Sequence, residues 1–404
     1  MTQASDPIAA AGLGAGTSDR AIQWPVALLA AATILTGVWL LADQGWRMTA
    51  LFAIGGSIGL VLYQAAFGFT SAYRRLILDR DTRMVQAQLV MLALATVLFA
   101  PVLAEGSAWG RGVVGAVAPV GVPVAVGAFM FGLGMQLGGA CGSGTLVTVG
   151  GGSPRMVVTL IAFIAGSFWA SLDMQWWAQT PRLGSISLGR EIGWPNAVLL
   201  QLGVLALISM ALRRWRAAKP PPSPPATRTP MPLAGRILRG PWSPLVAATA
   251  LALFNWATLV VSGHPWSITW GFTLWGGKAA RAVGWDPSTS WFWSGGFTER
   301  ALGASVLTDD TSVMNIGLIL GALTAAALAG RLRPGWRIGA KPLAAAVIGG
   351  VLMGYGARIA FGCNIGAFFS GVASTSLHGW LWIASALAGT WLGVRLRPLF
   401  RLAA

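Results

Sequence analysis

Charge is scarce in this chain and acid scarcer still: only 10% of the 404 residues are charged, with 12 Asp and Glu against 28 Lys and Arg. A water-soluble domain carries about 25% charged residues, so an ordinary soluble protein is excluded. Cysteine is limited to Cys141 and Cys363, too few for a disulfide framework. His264 and His378 stand far apart and form no ligand cluster, so neither a metal nor a cofactor is expected. None of the twelve acids falls in the middle of an apolar stretch, which leaves no carboxylate relay for protons and no intramembrane cage for a cation. Residues 1–23 lack the basic start and apolar core of a secretory signal and read as a disordered Ala/Gly/Ser tail.

What is abundant is apolar length. The chain is 55% hydrophobic with a mean hydropathy of +0.66. Stretches long enough to cross a bilayer run over 25–43, 48–67, 84–104, 119–139, 155–173, 196–212, 243–262, 312–330, 342–361 and 377–394. The expected fold class is therefore an all-α polytopic membrane protein of about ten transmembrane helices. The formal charge of +16 reports orientation rather than nucleic-acid binding, because basic loops stay cytoplasmic. Arg74, Arg75, Arg80 and Arg83, the run from Arg213 to Lys219, and Arg331 to Lys341 are all placed inside by ten alternating spans, as are both termini. The stretch Lys219-Pro-Pro-Pro-Ser-Pro-Pro marks a solvated linker. The expected organisation is a tail at 1–23, spans one to six over 24–212, a cytoplasmic linker at 213–242 and spans seven to ten over 243–404, in a bacterial inner membrane with lipid as its surroundings.

An internal repeat stands out. Gly127, Gly132, Gly134, Cys141 and Gly144 recur as Gly349, Gly354, Gly356, Cys363 and Gly366 at a single offset of 222 residues. A weaker echo pairs Gly68-Phe69-Thr70 with Gly271-Phe272-Thr273 at an offset of 203, the two minor loops. Spans one to five thus correspond to six to ten. An odd number of spans per copy makes the second copy enter the membrane upside down, so the two Cys-x-x-Gly stretches start from opposite faces. Each is short and Gly-rich, too weakly apolar for a further helix, and predicts a re-entrant or broken element covered by protein. Inverted repeats with matching interruptions place a transport site near the midplane.

Glycine lets backbone N–H groups turn toward an anion, and a neutral thiol, a weak donor with a polarizable sulfur, suits a soft sulfur-bearing anion better than a hard oxyanion. The plain alternative for both cysteines is packing as small buried hydrophobes. Arg358, five residues before Cys363, reads either as an anion-attracting charge or as a side chain reaching the interface, and its counterpart is Gln136. Asn364 offers an amide donor to the same ligand, or a helix cap. Trp46, Trp109, Trp176, Trp177, Trp194, Trp285, Trp291 and Trp293 are expected at the membrane interfaces.

At these residues the chain resembles the YeeE/YedE family of sulfur-transport membrane proteins, over about 45–395. That resemblance implies an hourglass-like helical fold and thiosulfate as substrate. It implies that Cys141 and Cys363 pass the anion along while Gly134, Gly139, Gly144, Gly356, Gly362 and Gly366 shape the passage. A cytoplasmic sulfur-carrier protein is the implied partner. The chain departs from the family at Gly68, where many members carry a further cysteine, and this leaves another sulfur or selenium species open as substrate. A membrane thiol oxidoreductase and a non-catalytic scaffold are the rival readings.

Overall fold

The computed structural model describes residues 21–217, 235, 238–332, 335 and 338–403. The expected tail lies outside the described residues except for 21–23, and so does the proline-rich 218–234 of the expected linker. Helices fill almost all the rest: α1 Trp24–Ala42, α2 Trp46–Gln64, α3 Phe69–Asp79, α4 Arg83–Glu105, α5 Val122–Gly138, α6 Gly142–Gly150 and α7 Pro154–Leu172. They are followed by α8 Trp194–Ala217, α9 Pro244–Ser262, α10 Thr269–Ala282, α11 Asp310–Leu328, α12 Ala340–Ile359 and α13 Leu377–Leu396. A π-helical segment, Asn364–Phe369, runs straight into the turn Ser370–Ala373 between the last two.

The fold is an all-α polytopic membrane fold. Nine helical stretches among the described residues are long and apolar enough to cross a bilayer. The tenth expected span is α13, whose 20 residues include three tryptophans, three glycines and His378 and so make it less apolar. Proline opens α1, α5, α7 and α9, where its fixed φ suits the first turn and its missing N–H costs nothing. The Gly-rich stretches at 48–67 and 342–361 are regular helix over most of their length, because each glycine faces another backbone.

Helix pairing repeats between the halves. Helix α2 packs on α11 as α9 packs on α4; α7 packs on α12 as α13 packs on α5; α1 lies against α11 as α8 lies against α4. The exchange of α2 for α9, α4 for α11, α5 for α12 and α7 for α13 carries each pair onto another. At the centre α5 and α12 cross antiparallel. A Cβ on Gly127 would stand 2.5 Å from the Gly356 carbonyl oxygen, and one on Gly134 would stand 2.8 Å from that of Gly349. Such close backbone approach is how membrane helices gain packing energy where lipid gives no hydrophobic drive.

Hydrogen bonds and strand pairing among the described residues gather the connecting segments at the helix ends into two groups. The strand β1 (Pro119–Gly121) pairs antiparallel with β2 (Arg182–Ser185), Ser187 bridges Ser376, and Val114 N–H donates to Gly263 O. In the other group Gln64 Nε2 donates to Leu238 O, Arg155 to Leu137 O and Pro342 O, and Arg397 to Gln136 O. The two groups mark the two faces of the molecule. Helix α5 ends toward the second face and α12 toward the first.

The cysteine stretches, expected as re-entrant or broken elements, each wind into a short helix; at nine residues α6 is about 13 Å long and cannot cross the bilayer. One expectation about the tryptophans needs correction. Trp293 is no interfacial anchor: it is fully buried and donates to Ser171 Oγ at 2.9 Å, with Gly277 making room beside its ring. Residues after α10 fold back over α7 and α10 and carry this tryptophan inward.

Candidate functional site

Both thiols stand at the N-cap of a short helical segment. Helix α5 ends at Gly139, whose φ of +102° turns the chain back; Cys141 follows in extended conformation and α6 begins at Gly142. In the second half, α12 gives way to Phe361 at φ +61° and Gly362 at φ +148°, then Cys363 opens the π-helical segment. A side chain at Gly139 would be strained by φ alone, and one at Gly362 would also stand 2.7 Å from the Ala367 nitrogen. Trp382 Nε1 donates to Gly362 O and holds this turn from α13.

The two turns come from opposite faces and meet. A Cβ on Gly142 would stand 3.3 Å from Cys363 Sγ and 3.6 Å from Ile268 Cγ2. Both cysteines are free and buried, at 2% and 0% exposure. Cys141 Sγ lies 3.5 Å from Ser143 Oγ, and Cys363 Sγ accepts from Ile365 N–H at 3.5 Å. Gly366 faces Ser267 Oγ, so Ser267 and Ile268 form a third wall against both cysteine turns.

That third wall is clamped by buried polar groups. Asn255 Oδ1 accepts from Trp266 N–H at 2.8 Å while its amide donates to Ser370 Oγ, and Ser370 Oγ donates to Trp266 O. Asn315 donates to Ile268 O at 3.0 Å. Helices α9 and α11 thus fix the 266–268 turn against the Cys363 segment. Neither asparagine stood out in the sequence, although an amide inside an apolar span is the signal that would find it.

Several buried polar atoms in this region lack a protein partner: Asn364 Oδ1, Gln136 Oε1, Thr70 Oγ1, Tyr73 Oη and Trp266 Nε1. The Asn364 amide lies 3.6 Å from Met135 Sδ. Tyr73, on α3, is 3% exposed. Unpaired buried polar atoms are rare in native folds and call for a ligand or water.

The remaining expected residues divide by location. Gly144 lies in the first turn of α6, where its carbonyl accepts from Thr148. Gly134 and Gly356 sit on the α5–α12 crossing. Gln136 Nε2 donates to Thr70 O and ties α5 to α3, while Gly68 precedes α3 and Phe69 and Thr70 form its buried first turn. Gly271, Phe272 and Thr273 are not a loop but part of α10: Gly271 abuts the Asn315 amide, Phe272 packs edge-on against Phe163 at 4.8 Å, and Thr273 Oγ1 meets Ser167 Oγ at 2.6 Å. Arg358, near the end of α12, is drawn away from Cys363 over the Phe292 ring at 5.1 Å. No group of three or more His, Cys, Asp or Glu that could hold a metal ion occurs among the described residues.

The family described as sulphur transport matches residues 64–392. The chain is 28% identical to the thiosulfate transporter TsuA of Spirochaeta thermophila over 84% of its own length and 95% of that protein's. It is 24% identical to TsuA of Escherichia coli over 85% and 94%. A shorter match, 33% identical over 163 residues, relates it to the probable transporter YedE of Escherichia coli and spans about two fifths of each chain.

Proposed function

Because this chain belongs to the sulphur transport family, we propose that it is an inner-membrane permease that takes up a small sulfur-containing anion, thiosulfate first among them, past the two cysteine turns. The observation that carries the reading is the meeting of Cys363 Sγ with Gly142, the neighbour of Cys141, inside a buried constriction built from both halves. The pairing of helices under exchange of the halves supports two inverted copies, with spans one to five and six to ten, reached from opposite sides. The relatives named thiosulfate transporters support the substrate.

The chemistry follows from the lining. A thiolate would repel an anion, whereas a neutral thiol donates weakly and its sulfur is polarizable, so a terminal sulfur can be bound without being trapped. The first N–H groups of α6 carry the positive end of its dipole toward the same place. Asn364 and Gln136 add uncharged amides, Gly139, Gly144, Gly362 and Gly366 keep the turns narrow, and Gly134 and Gly356 hold the helices that carry them. Arg358 attracts the anion from the outer side. Uptake of a dianion against an inside-negative potential costs about 2.3 kcal/mol per charge per 100 mV, so net accumulation requires coupling or consumption inside, the role of a cytoplasmic sulfur-carrier partner.

The test is radiolabelled thiosulfate uptake into proteoliposomes, with and without excess sulfate or a selenium analogue. Saturable uptake that sulfate does not compete away, lost in Cys141→Ala and in Cys363→Ala, is expected; uptake unchanged in both variants refutes the thiol site, and no uptake of any sulfur anion leaves the scaffold reading. The closeness of the two cysteine turns is also what a membrane thiol oxidoreductase needs. Thiol titration separates the two: a permease keeps two free thiols through turnover, an oxidoreductase cycles them.

A further inference from the structure

A cavity of about 930 Å³ opens between α4, α8 and the start of α9, and neither cysteine lines it. Its rim carries Arg80, Arg83, Arg213 and Arg216 against Asp79 and Asp81. Asp81 is engaged by Arg83 at 2.8 Å, while Arg80 lies over the Trp215 ring at 5.0 Å. Arg213 and Arg216 have no hydrogen-bond or ion-pair partner among the described residues. Below the rim Gln86 and Ser209 bridge α4 and α8, Gln86 Nε2 donating to Ser209 O and Ser209 Oγ to Gln86 Oε1, and beyond them the lining turns apolar, with Leu89, Val90 and Ala93 on α4 and Leu202 and Ala206 on α8.

The depth of the groove identifies its occupant. Arg83 to Ala93 is ten residues of α4, about 15 Å of helix, which is half of a hydrocarbon core of about 30 Å. A cationic rim above an apolar groove one leaflet deep matches a single lipid in shape and in polarity, and basic pockets between helices at the cytoplasmic face take anionic headgroups. We propose that this cavity binds one anionic phospholipid, its phosphate held by Arg80, Arg213 and Arg216 and an acyl chain lying between α4 and α8. Residues 218–234, which follow α8, are a poor alternative occupant, because they carry Lys219 and Arg228 and no acid to face the arginines. A free anion would leave the apolar half of the groove unfilled.

The experiment is thermal unfolding of the full chain in detergent, with added phosphatidylglycerol, phosphatidylcholine or inorganic phosphate, alongside native mass spectrometry of bound lipid. Phosphatidylglycerol is expected to raise Tm by several degrees and to remain bound, with phosphatidylcholine and phosphate giving no shift. The double variant Arg213→Gln/Arg216→Gln is expected to lose at least half of that shift. Ala206→Phe, at an exposed position on the groove wall, keeps the arginines but fills the chain's path, and it is expected to abolish the shift and the bound lipid. Equal shifts with phosphatidylcholine, a shift with phosphate alone, or an undiminished shift in Ala206→Phe would each overturn the proposal. If the double variant fails to fold, Ala206→Phe decides.

Discussion

Gly142 is the position at which stability and transport should part. A methyl group there would approach Cys363 Sγ to 3.3 Å and Ile268 Cγ2 to 3.6 Å, the first a few tenths of an ångström inside ordinary contact. Gly142 also begins α6 and its φ is not positive, so alanine is compatible with the backbone and should stabilise the chain by about 0.4–1 kcal/mol through the unfolded state. Overpacking opposes this by about 1–3 kcal/mol, relieved where the turn can shift. Gly142→Ala is therefore expected to melt within a few degrees of the parent. On the proposed path an anion that must pass the same gap meets the crowding without that relief, and a barrier raised by about 1–3 kcal/mol slows uptake roughly 5- to 150-fold. Gly142→Leu should close the path altogether. The assays are Tm by intrinsic tryptophan fluorescence and initial thiosulfate uptake in proteoliposomes. Parental uptake in a folded Gly142→Leu protein would refute the reasoning, because the substrate would then have to travel elsewhere.

Gly356→Leu drives a side chain into the α5–α12 crossing, where its Cβ would lie 2.3 Å from the Gly127 carbonyl oxygen; a destabilisation of about 3 kcal/mol or more is expected, read as a lost or strongly lowered Tm. Thr273→Val leaves the buried Ser167 hydroxyl without its partner at 2.6 Å and should cost about 1–2 kcal/mol, with Ser167→Ala/Thr273→Val recovering part of the loss. Arg358→Gln is expected to raise the KM for uptake with little change in Vmax, since the guanidinium sits over Phe292 rather than against the thiols. At His264, burial pushes the imidazole pKa down but the Asp310 carboxylate at 3.5 Å and the Pro265 carbonyl outweigh it, so the folded value is raised. The linked stability is present in full below the unfolded value of about 6.5 and lost as pH rises through the raised folded value, so Tm should fall between mildly acidic and mildly alkaline pH, and His264→Gln should flatten that fall.

Membrane architecture was legible because lipid imposes a length. Each of the ten expected stretches is a helix whose ends lie within a few residues of the apolar run, and Pro25, Pro123, Pro154 and Pro244 mark starts that any residue-level reading finds. The short elements were harder. Composition separates membrane from water, but it does not separate a buried turn from a buried nine-residue helix, and α6, which begins Gly142-Ser143-Gly144-Thr145, has little intrinsic helix preference. It is helical because Cys141 O accepts from both the Thr145 backbone and its hydroxyl, and because α7 and α11 cover it. Trp293 was misplaced for a related reason: belts of tryptophan are a statistical habit of interfaces, and only the back-folding of residues after α10 turns this ring inward.

The candidate site shows what a repeat does and does not carry. An offset of 222 residues makes Cys141 and Cys363 equivalent, but equivalence under an exchange sets no distance; two equivalent groups meet only if they lie near the axis of that exchange. Contacts of α5 with α12, of α2 with α9 and of α6 with the Asn364–Phe369 segment each map onto themselves under the proposed exchange, which supports a crossing near its axis. The turns at Gly139 and at Phe361–Gly362 then bring each chain back toward it from its own face. Gly127, Gly134, Gly349 and Gly356 are therefore not incidental to the thiols: they let the two helices cross closely enough for turns from opposite faces to share one constriction. The third wall breaks the symmetry, since Trp266, Ser267 and Ile268 are clamped by Asn255 and Asn315 in one half only. On the proposed path an anion meets two like thiols but unlike walls, so the two sides of the constriction differ energetically even though the helices around it correspond.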